Sequence, residues 1–196
     1  MPAKKKDVNS PSWRIHEWFQ DLESGKLEKM EGFFQELQKF NESLNLVSKK
    51  SLLEADNVHF ADCIMAAKIF LKIPGVKAKT LFDFGSGNGF PGLVFSILDP
   101  ELRVNLVEID VRKCEFLKHS AHALGLKNLS ILQQGVESLG ENSVELAISR
   151  GFAPLSRALV ITRKVFAKGG AYYHMKSEEW ASEIMQIPAQ VCSYWN

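Results

Sequence analysis

The chain has little cysteine, no long apolar run and almost no excess of charge of either sign, and each scarcity narrows what it can be. Only Cys63, Cys114 and Cys192 occur, odd in number and without C-x-x-C spacing. Neither a disulfide framework nor a zinc site is implied, and a reducing cytoplasm fits. No apolar run approaches the roughly 18 residues that span a bilayer. The basic start, with Lys4, Lys5 and Lys6, is not followed by the apolar core of a signal peptide, so a cytoplasmic location is expected. A net charge of +1 over 196 residues does not announce a nucleic-acid binder. Basic character comes instead as local pairs, Lys49 with Lys50, Arg112 with Lys113 and Arg163 with Lys164. Each pair alone reads as a solvated face, and together they leave room for a phosphate-tracking surface. With 45% hydrophobic and 24% charged residues, the chain can bury one good core and carry an appendage.

What is there divides into a basic flexible tail over residues 1–9, an N-terminal helical extension over 10–76 and a second block over 77–196. In the extension, Ser10 and Pro11 suit the cap and first position of a helix, with Ile15, Trp18, Phe19 and Leu22 on one face. Ser24 and Gly25 read as its break. Leu27, Met30, Phe33, Phe34, Leu37, Phe40 and Leu44 then recur at spacings of three and four, the mark of a strongly amphipathic helix. Ser51 and Glu54 fit a capping box ahead of a further helix ending at Pro74 and Gly75. From Lys77 the pattern alternates. Strands are expected near 80–85, 103–108, 129–133, 144–149, 170–175 and 189–195, and helices near 90–98, 111–124, 155–166 and 177–186. Such alternation argues an α/β fold, a mostly parallel sheet with helices on both faces, whose ligands sit at the carboxyl ends of the strands.

Residues 83 to 92, Asp-Phe-Gly-Ser-Gly-Asn-Gly-Phe-Pro-Gly, lie between two apolar runs and read as strand, glycine turn and helix start. Gly87, Gly89 and Gly92 satisfy the dinucleotide spacing G-x-G-x-x-G, whereas Gly85, Gly87 and Gly89 satisfy G-x-G-x-G with Asp83 two residues upstream. A carboxylate at the mouth of the loop would repel a pyrophosphate and attract a cation. That favours S-adenosylmethionine, with its ammonium and sulfonium, over NAD. About twenty residues on, the strand-like Arg103–Asp110 ends in two acids. Glu108 is the better placed to hold ribose hydroxyls, with Asp110 second or else the N-cap of the next helix.

With these residues in place, the chain resembles the glucose-inhibited division protein B family, bacterial 16S ribosomal RNA guanine-N7 methyltransferases. The resemblance covers about residues 40 to 187. It rests on Asn45-Leu46-Val47-Ser48, His59 with Asp62, the run from Asp83 to Gly92, Glu108 with Arg112 and Lys113, Val136-Glu137, Ile148-Ser149-Arg150-Gly151-Phe152-Ala153 and Met175-Lys176. The glycine run and the Ser-Arg-Gly-Phe-Ala segment are specific as a pair. The resemblance implies a Rossmann-like S-adenosylmethionine-dependent fold acting on RNA, within the small ribosomal subunit. It implies the donor's methionine moiety at Gly85 and around Phe90, the ribose at Glu108, the adenine at Val136 and Glu137, and Arg150 reaching the donor and facing the target base. Lys49, Lys50, Arg112, Lys113 and Lys176 are the candidate RNA contacts. Cys63, Gly151 and Ser177 depart from the residues usual in the family. Methyltransferases of this class close the sheet with a seventh, antiparallel strand, and the sequence stops after the sixth strand counted here, so the last strand is expected to be missing.

The target atom is narrowed by motifs the fourth strand lacks. No Asn-Pro-Pro-Tyr or Asp-Pro-Pro-Tyr follows it, as exocyclic-amine methylation requires, and no cysteine is expected near it to attack a pyrimidine ring. Guanine N7 needs neither device, because its lone pair is free, so no general base is expected. Arg150 reads either as a ligand for the guanine O6 edge or a phosphate, or as half of an ion pair with a nearby acid. His59 and Asp62 read as an interdomain hydrogen bond, with no third residue spaced to complete a metal site. Lys176 reads as a phosphate contact or a solvated strand end. A small-molecule methyltransferase with the same donor site and an inactive ribosome-assembly factor remain as alternatives, with an NAD oxidoreductase behind them.

Overall fold

A computed structural model describes residues 11–178, 180–193 and 195. Five strands, β1 (Leu81–Phe84), β2 (Val104–Glu108), β3 (Leu129–Gln133), β4 (Val144–Arg150) and β5 (Phe166–Met175), form one sheet in the order β3-β2-β1-β4-β5. All neighbours run parallel, with Leu81 opposite both Val104 and Leu146, and Ile148 opposite Tyr173. β1, β2 and β4 are mostly apolar and buried along their length, as strands covered on both faces must be. The order reverses between β1 and β4, so the turns after these two strands open into one crevice.

The helices follow from the residue pattern. α1 (Ile15–Trp18) is a single turn, and α2 (Ser24–Leu44) buries Met30, Phe33, Phe34 and Leu37 on one stripe. It ends where Asn45 turns left-handed. α3 (Lys49–Leu53) is capped by Ser48, whose hydroxyl accepts the Ser51 N–H at 3.0 Å. A π-helical turn, Asp56–Ala61, runs into α4 (Asp62–Phe70). α5 (Gly92–Leu98) is buried at every residue and lies between the sheet and the helices α2 and α4. α6 (Val111–Ala123) starts at Asp110, whose side chain accepts the Lys113 N–H, so Asp110 is the N-cap. α7 (Leu155–Thr162), α8 (Trp180–Met185) and α9 (Ala189–Cys192) complete the chain. One apolar cluster joins α2, α4 and α5 to Leu81, Val104, Leu146 and Ile148. A second, with Phe84, Val107, Ala147 and Phe166, covers the other face. Among the described residues no helix is long and apolar enough to cross a membrane.

Several expectations are corrected. Residues 189–192 form helix and not a sixth strand: Pro188 in extended geometry starts the turn. Counted from the described residues, the sheet therefore has five strands. Ser24 and Gly25 open α2 where the sequence suggested a break, and the helix before them is only one turn, leaving Trp18 largely exposed. The cap of α3 is Ser48 and not Ser51. α7 ends at Thr162, and β5 begins four residues earlier than expected, at Phe166. The lysine tail and the cap expected at Ser10 lie outside the described residues.

Candidate active site

The glycine turn leaves β1 through Gly85 (φ 67°), Gly87 (φ 51°) and Gly89 (φ 91°), positions at which a side chain would be strained. Gly92 is needed for closeness instead: a Cβ there would lie 2.2 Å from Leu106 Cδ2 and 2.6 Å from Asp83 Oδ2. The Gly92 N–H donates to Asp83 Oδ2 at 2.9 Å, and the Ser86 hydroxyl donates to the Asp83 carbonyl at 2.8 Å. Asp83 is therefore not at the mouth of the loop. Its side chain is fully buried beneath the turn, where it holds the first N–H of α5. Burial pushes its carboxyl up to about 7, against the opposing effect of the Gly92 N–H. Oδ1 is buried and has no hydrogen-bond partner among the described residues.

Glu108 stands where the sequence placed it, at the end of β2 and 7% exposed. Its Oε2 accepts the Gly87 N–H at 2.8 Å, and its Oε1 accepts the N–H groups of Ile109 and Asp110 at 2.9 and 2.8 Å. Three backbone donors thus aim one carboxylate at the glycine turn. Val136 and Glu137 share a single 3-10 turn just past β3, with Val136 buried beside Phe84 and Val107, and Glu137 exposed. Phe90 is buried, its ring 4.9 Å from those of Phe33 and Phe60 and stacked at 5.1 Å on His59. Phe152, in the segment that follows β4, is a site residue to which the motif alone assigns no role. It covers Gly85 so closely that a Cβ there would lie 2.6 Å from its ring.

Arg150, at the end of β4, is tied to the N-terminal segment. Its Nη2 donates to the Val58 carbonyl at 2.6 Å and to His59 Nδ1 at 2.9 Å, its Nη1 to Cys63 Sγ at 3.5 Å, and its Nε lies 3.6 Å from Asp62. The ion-pair reading of Arg150 and the hydrogen-bond reading of His59 therefore both hold. The cysteine that sequence distance removed from the fourth strand is present in space as Cys63. It is fully buried and its thiol is pushed up to about 12, so it is not a nucleophile. Burial, and then Arg150, hold His59 down to about 4, which keeps it neutral.

Arg150 also lines a cleft of about 800 Å³ between α4 and the ends of β4 and β5, with Met65 and Ile69 on one wall and His174 and Lys176 on the other. Lys176 is neither solvated nor waiting for a phosphate. It donates to Glu183 Oε2 at 2.7 Å and to the Ala153 carbonyl at 3.0 Å. Lys49 and Lys50 are exposed on α3. Arg112 is exposed and donates to the Ser43 carbonyl at 2.7 Å, near the 370 Å³ hollow that Lys49 helps to line. Lys113 is half-buried at the start of α6.

Comparison with known proteins bears on this arrangement. The model of the family described as rRNA small subunit methyltransferase G matches residues 26–194. A Bdellovibrio bacteriovorus protein named Ribosomal RNA small subunit methyltransferase G 3 is 45% identical over 93% of this chain and 82% of its own length. A Halorhodospira halophila protein named Ribosomal RNA small subunit methyltransferase G is 30% identical over 86% of this chain and 78% of its own. Among solved structures, a putative S-adenosylmethionine-dependent methyltransferase from Methanococcus maripaludis superposes with a TM-score of 0.51 at 16% identity, over 98% of this chain and 83% of that one. That likeness shows the fold.

Proposed function

This chain belongs to the rRNA small subunit methyltransferase G family, and from that premise we propose that it transfers a methyl group from S-adenosylmethionine to N7 of a guanine in 16S ribosomal RNA, within the small ribosomal subunit. The observation that carries the reading is the Glu108 carboxylate, aimed by three backbone N–H groups at the glycine turn between β1 and α5. These donors occupy three of the carboxylate's roughly four lone-pair sites, so Oε2 keeps one with which to accept a ribose hydroxyl.

The residues present fit the donor. Gly87 brings its bare backbone to the Glu108 carboxylate, which takes the ribose, Val136 and Glu137 flank the adenine, and Gly85, lying under the Phe152 ring, takes the methionine moiety together with the chain beside Phe90. Asp83 serves this site indirectly, by fixing the turn from beneath. When bound, S-adenosylmethionine supplies an electrophilic methyl carbon on a positively charged sulfur. The chain's own task is positioning. Guanine N7 has a free lone pair, so no side chain has to remove a proton, and neutral His59 and the protonated Cys63 are consistent with that. Arg150 borders the cleft and, with both Nη2 protons given to Val58 and His59, orients the base through the Nη1 proton not given to Cys63, donated to the O6 edge or a phosphate. Alignment of the reacting atoms contributes several kcal/mol, and a misplacement of about 1 Å loses about a hundredfold in rate. Lys49, Lys50, Arg112 and Lys113 form the phosphate-tracking surface, and Lys176 joins them only if its bond to Glu183 opens.

Transfer of labelled methyl from S-adenosylmethionine to intact small subunits, to naked 16S RNA and to small-molecule acceptors tests the reading. Label in the RNA of subunits is expected. Label confined to small molecules would make this a small-molecule methyltransferase, and tight subunit binding without transfer would make it an assembly factor.

A further inference from the structure

We propose that His59 is a positioning residue for Arg150, so that the N-terminal segment supplies part of the active site as well as a scaffold. The inference rests on the role assigned to Arg150 above.

The chemistry of the contact fixes the state of the ring. A guanidinium can only donate, so His59 Nδ1, 2.9 Å from Arg150 Nη2, must be the acceptor. The single proton of a neutral ring then sits on Nε2, where it points to the Ser51 hydroxyl, with which Nε2 makes a short contact. The Ser51 hydroxyl can accept that proton, so it accommodates the tautomer that Arg150 imposes. The same ring stacks on Phe90 in the glycine turn, 5.1 Å between centroids with 20° between planes, and the Arg150 guanidinium lies over the Phe90 ring at 6.0 Å. His59 is therefore in contact with both Arg150 and the turn that shapes the donor site. The π-helical turn Asp56–Ala61 that carries it also aims the Val58 carbonyl at the guanidinium. Asp62 and Cys63 hold Arg150 as well.

The test uses the full chain. Nitrogen-15 spectra of the imidazoles near pH 7 are expected to show His59 protonated at Nε2 and bare at Nδ1. Single-turnover methyl transfer to small subunits is then compared in His59→Phe, which keeps the stacked ring, in His59→Gln, which reaches Ser51 but offers nothing at Nδ1, and in His59→Asn, which restores an acceptor near Nδ1. Loss of about tenfold or more is expected in the first two and of less than about threefold in His59→Asn, with donor affinity nearly unchanged. In an Arg150→Ala background, the His59 changes should add less than about twofold, because the residue they act through is gone. Losses that multiply, a wild-type rate in folded His59→Phe and His59→Gln, or a proton on Nδ1 would each overturn the proposal. Should the wild-type protein transfer nothing to small subunits, the functional reading fails by itself. The tautomer, and the exchange of the Arg150 Nη protons in His59→Gln, would still decide the contact: faster exchange supports it and unchanged exchange refutes it.

Discussion

Asp83→Asn isolates the consequence of burying a carboxyl under the glycine turn. The Asp83 carboxyl rises from an ordinary value of 3.8 to about 7, first because it is buried. A folded value above the unfolded one means that the native state holds a proton that the unfolded chain releases. Stability from this group is therefore full below about pH 4 and lost as pH rises towards 7. The span corresponds to about 4 kcal/mol, a large share of the stability of a domain this size. Asparagine keeps an acceptor for the Gly92 N–H and cannot ionise, but its amide N–H₂ is left beside the site where Oδ1 has no partner, at about 1 to 3 kcal/mol. At about pH 4 the variant should thus be the less stable protein. By pH 8 the wild type should have lost its advantage, the gap between the two having moved by about 3 to 4 kcal/mol in favour of Asp83→Asn. Urea midpoints at half-unit pH steps from about 4 to about 8.5 read this directly. Parallel curves for the two proteins would refute the argument, because they would mean that Asp83 is ionised throughout.

Other perturbations read other parts of the site. Glu108→Gln should weaken S-adenosylmethionine and S-adenosylhomocysteine alike, by about 1 to 3 kcal/mol in calorimetry, since the ribose is common to both; an effect on one alone would misplace Glu108. Lys49→Gln with Lys50→Gln should flatten the salt dependence of RNA binding by about one unit of slope per lost contact and leave donor affinity unchanged. Lys176→Gln should act first on stability, by about 1 kcal/mol in denaturant titration, because its partner Glu183 also holds the Leu155 N–H. Gly92→Ala should destabilise by about 1 to 3 kcal/mol or more through its clash with Leu106 and Asp83, whereas Gly25→Ala, with nothing within 4 Å in the first turn of α2, should stabilise by about 0.5 to 1 kcal/mol.

The parts of this molecule written locally were readable before any coordinates. The glycine run, the apolar strand before it, the acid closing β2 and the Asp110 cap, one of two readings open at that residue, each occupy a short stretch of sequence. Reading failed where a local signal was ambiguous or the cause was distant. Val191 to Trp195 has the composition of a strand, yet Pro188 begins a helical turn before them. Ser24 and Gly25 look like a break, yet they fit the first turn of α2, where orphan N–H groups tolerate them. Asp83 was given a ligand-facing role on charge alone, and only the packing of Gly92 against it shows that it faces inward. The cluster around Arg150 had no local trace, because Val58, His59 and Cys63 reach it from 87 to 92 residues away. The motif around His59 and Asp62 was the one available signal.

The central claim is N7 methylation of a guanine in small-subunit RNA, and mass mapping tests it most directly. Small subunits from cells lacking this protein would be incubated with the wild-type chain and S-adenosylmethionine, and the RNA digested and mapped. 7-Methylguanosine is expected at one position, absent without the protein and greatly reduced with Arg150→Ala. A methyl group on carbon, on an exocyclic amine or on ribose would contradict the claim, as would RNA that remains unmodified.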